Sequence, residues 1–141
     1  MIRTICALAI CLATSGCRDT PAVVPVSGRV LYNGEPLQFG TVMFQPAVGQ
    51  AAVGEIQPDG SFTLSTYEPG DGAVPGAHKV CVRCYEGQRP GAGLKQTGGE
   101  VTLGALLIPR KYTRFGTSGL AVDIVDGDNP PLDFDLTGPQ R

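Results

Sequence analysis

The chain has 141 residues, enough for one domain, and its 20 glycines and 12 prolines interrupt it too often for long helices. A formal net charge of −2 and the absence of a recognisable nucleic-acid-binding motif argue against a nucleic acid as partner. The composition therefore indicates a single domain built from short elements.

Residues 1–16 have the pattern of a secretory signal peptide, with Arg3 as its basic start. The apolar run from Ile5 to Ala13 is far shorter than the ~20 residues that a membrane-spanning helix needs. It ends in Thr14-Ser15-Gly16-Cys17, which resembles the lipobox of bacterial lipoproteins, although Thr14 replaces the aliphatic residue usual there. The resemblance implies a diacylglyceryl group on the Cys17 thiol and cleavage before that residue. Ordinary signal-peptide cleavage, an uncleaved anchor and a misread start are the alternatives.

Three segments are predicted after the cleavage point: a tether over 17–25, a folded domain over 26–136 and a C-terminal tail over 137–141. Within the domain, Asn33-Gly34 and Pro58-Asp59-Gly60 indicate tight turns. Seven short runs alternate apolar and polar residues with the period of a strand, namely VSGRVLY, TVMFQ, AAVGEIQ, SFTLST, HKVCVRCY, LAVDIV and LDFDL.

These runs predict an all-β fold, an antiparallel seven-stranded sandwich of the transthyretin-like or immunoglobulin-like kind. Its core is expected to contain Val30, Phe44, Phe62, Val82, Val122 and Phe134. The Gly-rich stretch from about 86 to 107 predicts a long, mobile loop with a short ordered piece at Ala105–Ile108. Such a loop is either a tolerated surface insertion or a contact with a partner.

Three segments in order, VSGRVLYNGEPLQFGTVMFQP, GEIQPDGSFTLST and VPGAHKVCV, resemble the carboxypeptidase regulatory-like domain. The later IPRKYTRFGTSGLAVDIVDGDN resembles the matching part of small planctomycete-type bacterial lipoproteins that carry this domain. The resemblance covers roughly 26–136 and implies a transthyretin-like sandwich that serves as an accessory or binding module without catalytic machinery. His78 stands near a position where the family commonly has Tyr or another large residue, so His78 inherits no role.

Cys81 and Cys84 invite a redox or metal interpretation. Three residues of strand span ~10 Å, whereas a disulfide needs Cα atoms about 4.4–6.8 Å apart, and no second ligand pair is present for zinc. We therefore expect unpaired thiols, with Cys84 in the core and Cys81 on the surface. An intermolecular disulfide through Cys81 and a metal site are the alternatives.

Two further sets of polar residues have a structural and a functional interpretation. His78 is the only histidine, and no G-x-S-x-G motif accompanies it, so we expect a polar residue at the start of a strand rather than a catalytic base. The stretch from Asp126 to Asn129 offers oxygen ligands for a hard cation, but Pro130-Pro131 follow where a closing Glu would be needed. We expect a turn there.

The sequence favours a lipid-anchored protein of the cell envelope, on the periplasmic or outer-membrane face, which acts as a non-catalytic binding or structural module. Its partner would be another envelope protein or a glycan, and no cofactor is expected. One alternative is a small-ligand carrier, which would need an internal cavity. Another is a metal-dependent or enzymatic protein, in which Cys81, Cys84, His78 or the loop from Asp126 to Asn129 would have to converge.

Overall fold

The computed structural model describes residues 20–140. This part of the chain is mainly β, with two 3₁₀ helices at Glu86–Gln88 and Arg110–Thr113. Its strands are β1 (Ser27–Tyr32), β2 (Glu35–Pro36), β3 (Thr41–Pro46), β4 (Ala52–Glu55), β5 (Ser61–Thr63), β6 (Gly76–Arg83), β7 (Lys95–Thr97), β8 (Glu100–Thr102), β9 (Leu120–Ile124) and β10 (Leu132–Leu136). Each of the seven predicted runs overlaps one of these strands. No helix in 20–140 is long and apolar enough to cross a membrane.

Two four-stranded sheets form the body of the fold. In the first sheet, β1 pairs with β10 on one side and with β2 and β5 on the other. In the second sheet the order is β4-β3-β6-β9. The pairing of β1 with β10 is parallel, which corrects the expectation of a wholly antiparallel sandwich. The chain passes through the whole second sheet between β1 and β10, and this long crossover lets the two strands run in the same direction.

An aromatic cluster fills the space between the two sheets. The ring centroids of Phe44 and Phe62 lie 6.0 Å apart, and the ring of Phe134 lies 5.9 Å from Phe44 and 6.3 Å from Phe62. Val30 and Val82 are fully buried beside the rings, as the alternating pattern predicts. The expected core residue Val122 is only partly buried, because β9 is the last strand of its sheet.

The sandwich has two distinct ends, which we call the entry end and the far end. At the entry end, Val24 exchanges two backbone hydrogen bonds with Ala73 (2.9 and 3.0 Å), just before β6 begins. Both β1 and β6 run away from this point, so the far end contains Tyr32 and Arg83. β6 has eight residues, and at about 3.3 Å per residue the two ends lie roughly 25 Å apart.

The folded part extends beyond the predicted limits of 26–136 at both ends. Val24, placed in the predicted tether, is buried and paired with Ala73. The predicted tail packs back onto the domain, since the Tyr112 hydroxyl donates to the Thr137 carbonyl (3.2 Å) and accepts from the Thr137 N–H (3.0 Å). Both segments have ordinary polar or proline-rich sequences, which carry no periodic signal.

The stretch predicted as a loop over 86–107 contains a two-stranded hairpin of β7 and β8. Gly98 and Gly99 form its turn with positive φ at both positions, as a two-residue hairpin turn requires. Glu86 holds the base of the hairpin, because its carboxylate accepts hydrogen bonds from the Lys95 ammonium and the Ala105 N–H (3.4 Å). The hydrogen bond from Lys95 is the main cause that lowers the pKa of Glu86.

Candidate functional site

Cys17, the predicted lipid-attachment residue, lies outside the described residues 20–140. The other predicted candidates fall on β6 and on the connection between β9 and β10.

The two described cysteines lie on opposite faces of β6, as the strand period predicts. Cys81 is a free thiol. Cys84 belongs to the core between the sheets. Cys81 points to the outer face but is fully buried, which corrects the expectation of a surface thiol. The second 3₁₀ helix packs against β6, and the buried Ser118 donates to the Val80 carbonyl, so the segment that precedes β9 covers this face. Burial raises the pKa of the Cys81 thiol.

His78 is a core residue and not the expected polar residue at a strand start. Its side chain is 2% exposed, and its ring meets the Phe44 ring edge-on with centroids 6.0 Å apart. Nε2 lies 2.8 Å from the Val74 carbonyl, whereas Nδ1 has no hydrogen-bond partner among the described residues. On the same face of the strand, Cys84 is six residues further on, roughly 20 Å away.

The loop from Asp126 to Asn129 is closed by its own amide side chain. Asn129 Oδ1 accepts from the Val125 N–H (3.0 Å), and Nδ2 donates to the carbonyls of Val125 (3.0 Å) and Gly127 (3.1 Å). This geometry agrees with a turn. Within 20–140, no three His, Cys, Asp or Glu side chains are grouped so that they could hold a metal ion. The convergence that the metal-dependent or enzymatic alternative needs is therefore not found in this part of the chain.

One surface cavity, which sequence reasoning missed, is an open groove of about 400 Å³ at the far end. Its lining comes from the end of β1, from β2 and the following connection, from the residue after the first 3₁₀ helix and from the C-terminal segment. The side chains that give it chemical character are Tyr32, Glu35, Gln38, Phe39, Arg89 and Gln140.

The C-terminal segment completes one wall of the groove. Asn33 Nδ2 donates to the Gly138 carbonyl and Asn33 Oδ1 accepts from the Gly138 N–H, both at 3.0 Å. The Tyr32 hydroxyl donates to the Pro139 carbonyl (2.7 Å). Gln140 is thereby brought beside residues that lie about a hundred positions earlier in the chain.

The rim of the groove carries polar side chains that have no partner among the described residues. Within 20–140, the side chains of Glu35, Gln38 and Gln140 make no hydrogen bond or ion pair. The Arg89 guanidinium lies over the Phe39 ring, 5.5 Å from its centroid, and has no hydrogen bond or ion pair in the same described range. The groove thus combines an aromatic surface with unused donors and acceptors.

A second, smaller groove of about 310 Å³ lies on the outer face of the first sheet. Its polar groups are largely engaged with each other. The Asp59 carboxylate accepts from the Ser61 N–H (2.9 Å) and hydroxyl (2.6 Å), and Arg29 lies 4.0 Å from Asp133. The far-end groove is the better candidate for binding because more of its polar groups are free.

No protein-family model matches the chain, and comparisons with curated proteins and with solved structures found no match either. The functional assignment therefore rests on the sequence and on the geometry of the two ends.

Proposed function

We propose that this protein is a lipid-anchored, non-catalytic binding module of the cell envelope, held at a membrane through Cys17 and binding its partner in the far-end groove. The partner class expected from the sequence is an envelope protein or a glycan. The lipobox-like Thr14-Ser15-Gly16-Cys17 supports the anchor, and the groove supports the binding role.

The observation that carries this proposal is the position of the groove relative to the N-terminal segment. Val24 enters the fold at the entry end, whereas Phe39 and Arg89 stand at the far end, roughly 25 Å away. An anchor at Cys17 would hold the entry end near the membrane, and the groove would then face outward. Two acyl chains on one cysteine are sufficient for stable membrane attachment.

The finer family assignment is part of the same proposal. The seven strands that match the predicted runs, distributed over two packed sheets, fit a transthyretin-like sandwich of the carboxypeptidase regulatory-like kind. Residues 1–16 are assigned to a lipoprotein signal peptide, as in planctomycete-type lipoproteins. Sandwiches of this kind are expected to act through their loops and strand ends.

Intact mass of the full-length protein recovered from bacterial membranes tests the anchor. We expect the loss of residues 1–16 and the gain of a diacylglyceryl group, and we expect Cys17→Ala to appear in the soluble fraction. An unmodified, soluble wild-type protein would contradict the anchor.

Site-specific photo-crosslinking in the envelope tests the binding role. A photoreactive residue in place of Gln38, on the groove rim, should give crosslinked products on a gel. A protein partner would give discrete bands, and a glycan partner would give a diffuse glycan-containing band. The same residue at Val48, which is 88% exposed near the entry end, is the matched control and should give no such products. Equal crosslinking at both positions, or adducts at Val48 alone, would overturn the groove as the binding site.

A further inference from the structure

We propose that the ligand of the far-end groove is a neutral glycan, whose sugar rings pack on the Phe39–Arg89 surface while their hydroxyls bond to the rim. This inference rests on the proposed binding function and names its ligand class.

The free polar groups of the rim match the hydrogen-bonding pattern of sugar hydroxyls. Each hydroxyl is both a donor and an acceptor. Glu35 offers only acceptors, Arg89 offers only donors, and the Gln38 and Gln140 amides offer both. A ligand that consists of closely spaced hydroxyls can form hydrogen bonds with all four side chains. An apolar ligand would remove water from these side chains without replacing its hydrogen bonds.

The flat surface of the groove suits a sugar ring. The Arg89 guanidinium lies over the half-buried Phe39 ring, 5.5 Å from its centroid, and this cation–π contact restricts a long and otherwise mobile side chain. The C–H face of a pyranose packs against such planar groups, and its ring hydroxyls reach outward to the amides. A donor already held in position loses less conformational entropy when the ligand binds.

The charges of the rim favour a neutral chain over an acidic or basic polymer. Among residues 20–140, the charged side chains that line the groove are those of Glu35 and Arg89, so this part of the lining has a net charge of zero. An acidic polymer would gain from Arg89 but would be repelled by Glu35, and a basic polymer would meet the opposite conflict. The neutral hydroxyls of a sugar are repelled by neither of these two charges.

The backbone at the groove disfavours an extended peptide that adds to the sheet. The outermost strand there is β2, which has only two residues, Glu35 and Pro36. Strand addition requires a row of free N–H and C=O groups, and Pro36 has no N–H. A peptide would therefore lack the main-chain ladder that gives this mode its affinity.

The test is binding of neutral oligosaccharides to the full-length lipoprotein in nanodiscs. The probes are oligomers of glucose, mannose and N-acetylglucosamine, with uronic-acid oligomers as acidic counterparts, measured by calorimetry. We expect a neutral oligomer to bind more tightly than its acidic counterpart. Arg89→Ala and Gln38→Ala should each weaken binding by about tenfold. Both side chains are exposed, so their loss should leave the thermal unfolding midpoint unchanged.

Arg29→Ala, in the second groove, is the matched control and should bind as the wild type does. The inference is overturned if no neutral oligomer binds, if acidic oligomers bind more tightly, or if the groove variants bind normally. Failure of this inference alone would appear as discrete protein adducts from Gln38 without oligosaccharide binding. Absence of both adducts and binding would overturn the proposed function as well.

Discussion

The thiol of Cys81 occupies an unusual position, because it points away from the hydrophobic core and is nevertheless fully buried. Burial raises its pKa above the ordinary value of 9.0, and the nearby Arg83 opposes part of this effect. The folded state therefore keeps the thiol protonated at a pH where the unfolded chain releases its proton.

We predict that Cys81 makes the protein less stable at alkaline pH. Above about pH 9 the unfolded state binds fewer protons than the folded state, so the free energy of unfolding falls as pH rises through this range. Urea unfolding at pH 7 and pH 10 should show that Cys81→Ala loses less stability over this interval than the wild type. An equal loss in both proteins would contradict the prediction.

Gly72 is a second residue whose identity is restricted by its surroundings, here by its backbone conformation and by a close backbone contact. It has φ +104°, in the region that favours glycine, and a Cβ built there would lie 1.7 Å from the Val24 carbonyl oxygen. We predict that Gly72→Ala destabilises the protein by about 2 kcal/mol or more, through backbone strain and loss of the pairing of Val24 with Ala73.

Urea unfolding measures this effect, and Gly116→Ala provides the control. Gly116 is outside the left-handed region, and a Cβ there would have no neighbour within 4 Å. Its substitution should change stability by less than about 0.5 kcal/mol. If Gly72→Ala also lowers the free energy of unfolding by less than about 0.5 kcal/mol, the pairing of the N-terminal segment contributes little to the stability of the fold.

Among the elements, the C-terminal segment deserves a direct test because it forms one wall of the groove. Asn33 holds it with two hydrogen bonds to Gly138 and also adopts a positive φ of 51° in its turn. We predict that Asn33→Gly, which keeps the turn conformation, costs about 1 kcal/mol through the lost hydrogen bonds. Asn33→Ala should cost more, since it also strains the turn.

Hydrogen exchange at the amides of Thr137, Gly138 and Gln140 distinguishes these effects. In Asn33→Gly we expect faster exchange at Gly138 and unchanged exchange in β6. If Gly138 remains as protected as in the wild type, the side chain of Asn33 is not what holds the segment.

The strands could be predicted because alternation of apolar and polar residues reports directly on a half-buried sheet. The hairpin of β7 and β8 was missed although Gly98-Gly99 is a recognised turn signal, because its strands have three residues each and no buried face. Burial of Cys81 was missed for a different reason. Alternation identifies the outer face of β6, but it carries no information about the distant segment 110–118, which packs against this strand.

On the scale of the whole molecule, the groove illustrates what a single sequence does not reveal. Glu35 and Phe39 are near neighbours in sequence, whereas Arg89 and Gln140 lie much further along the chain and meet them only in the folded structure. Neither Arg89 nor Gln140 belongs to a motif that the sequence analysis identified. The relation between the two ends is equally invisible in the sequence, since it depends on β1 and β6 running in the same direction from the entry end.

The orientation that the proposed anchor at Cys17 would give the sandwich leads to the last prediction. Between Cys17 and Val24 the chain can extend by about 25 Å at most, so an anchored molecule keeps its entry end closer to the lipid than its far end. A dye at Val48→Cys should transfer energy to acceptor-labelled lipids more efficiently than a dye at Gln38→Cys. The buried Cys81 and Cys84 should not react with the dye in the folded protein.

The control is a form of each labelled protein that begins at Arg18, which lacks Cys17 as well as the thiols of Cys6 and Cys11, and it should show no transfer because it lacks the proposed anchor. Equal efficiencies from the two positions in the anchored protein would mean that the sandwich lies on its side against the lipid. The groove would then face along the membrane, and a ligand within the membrane plane would become the expected partner. A larger efficiency at Val48 would leave the groove facing away from the lipid, where a glycan or protein of the envelope can reach it.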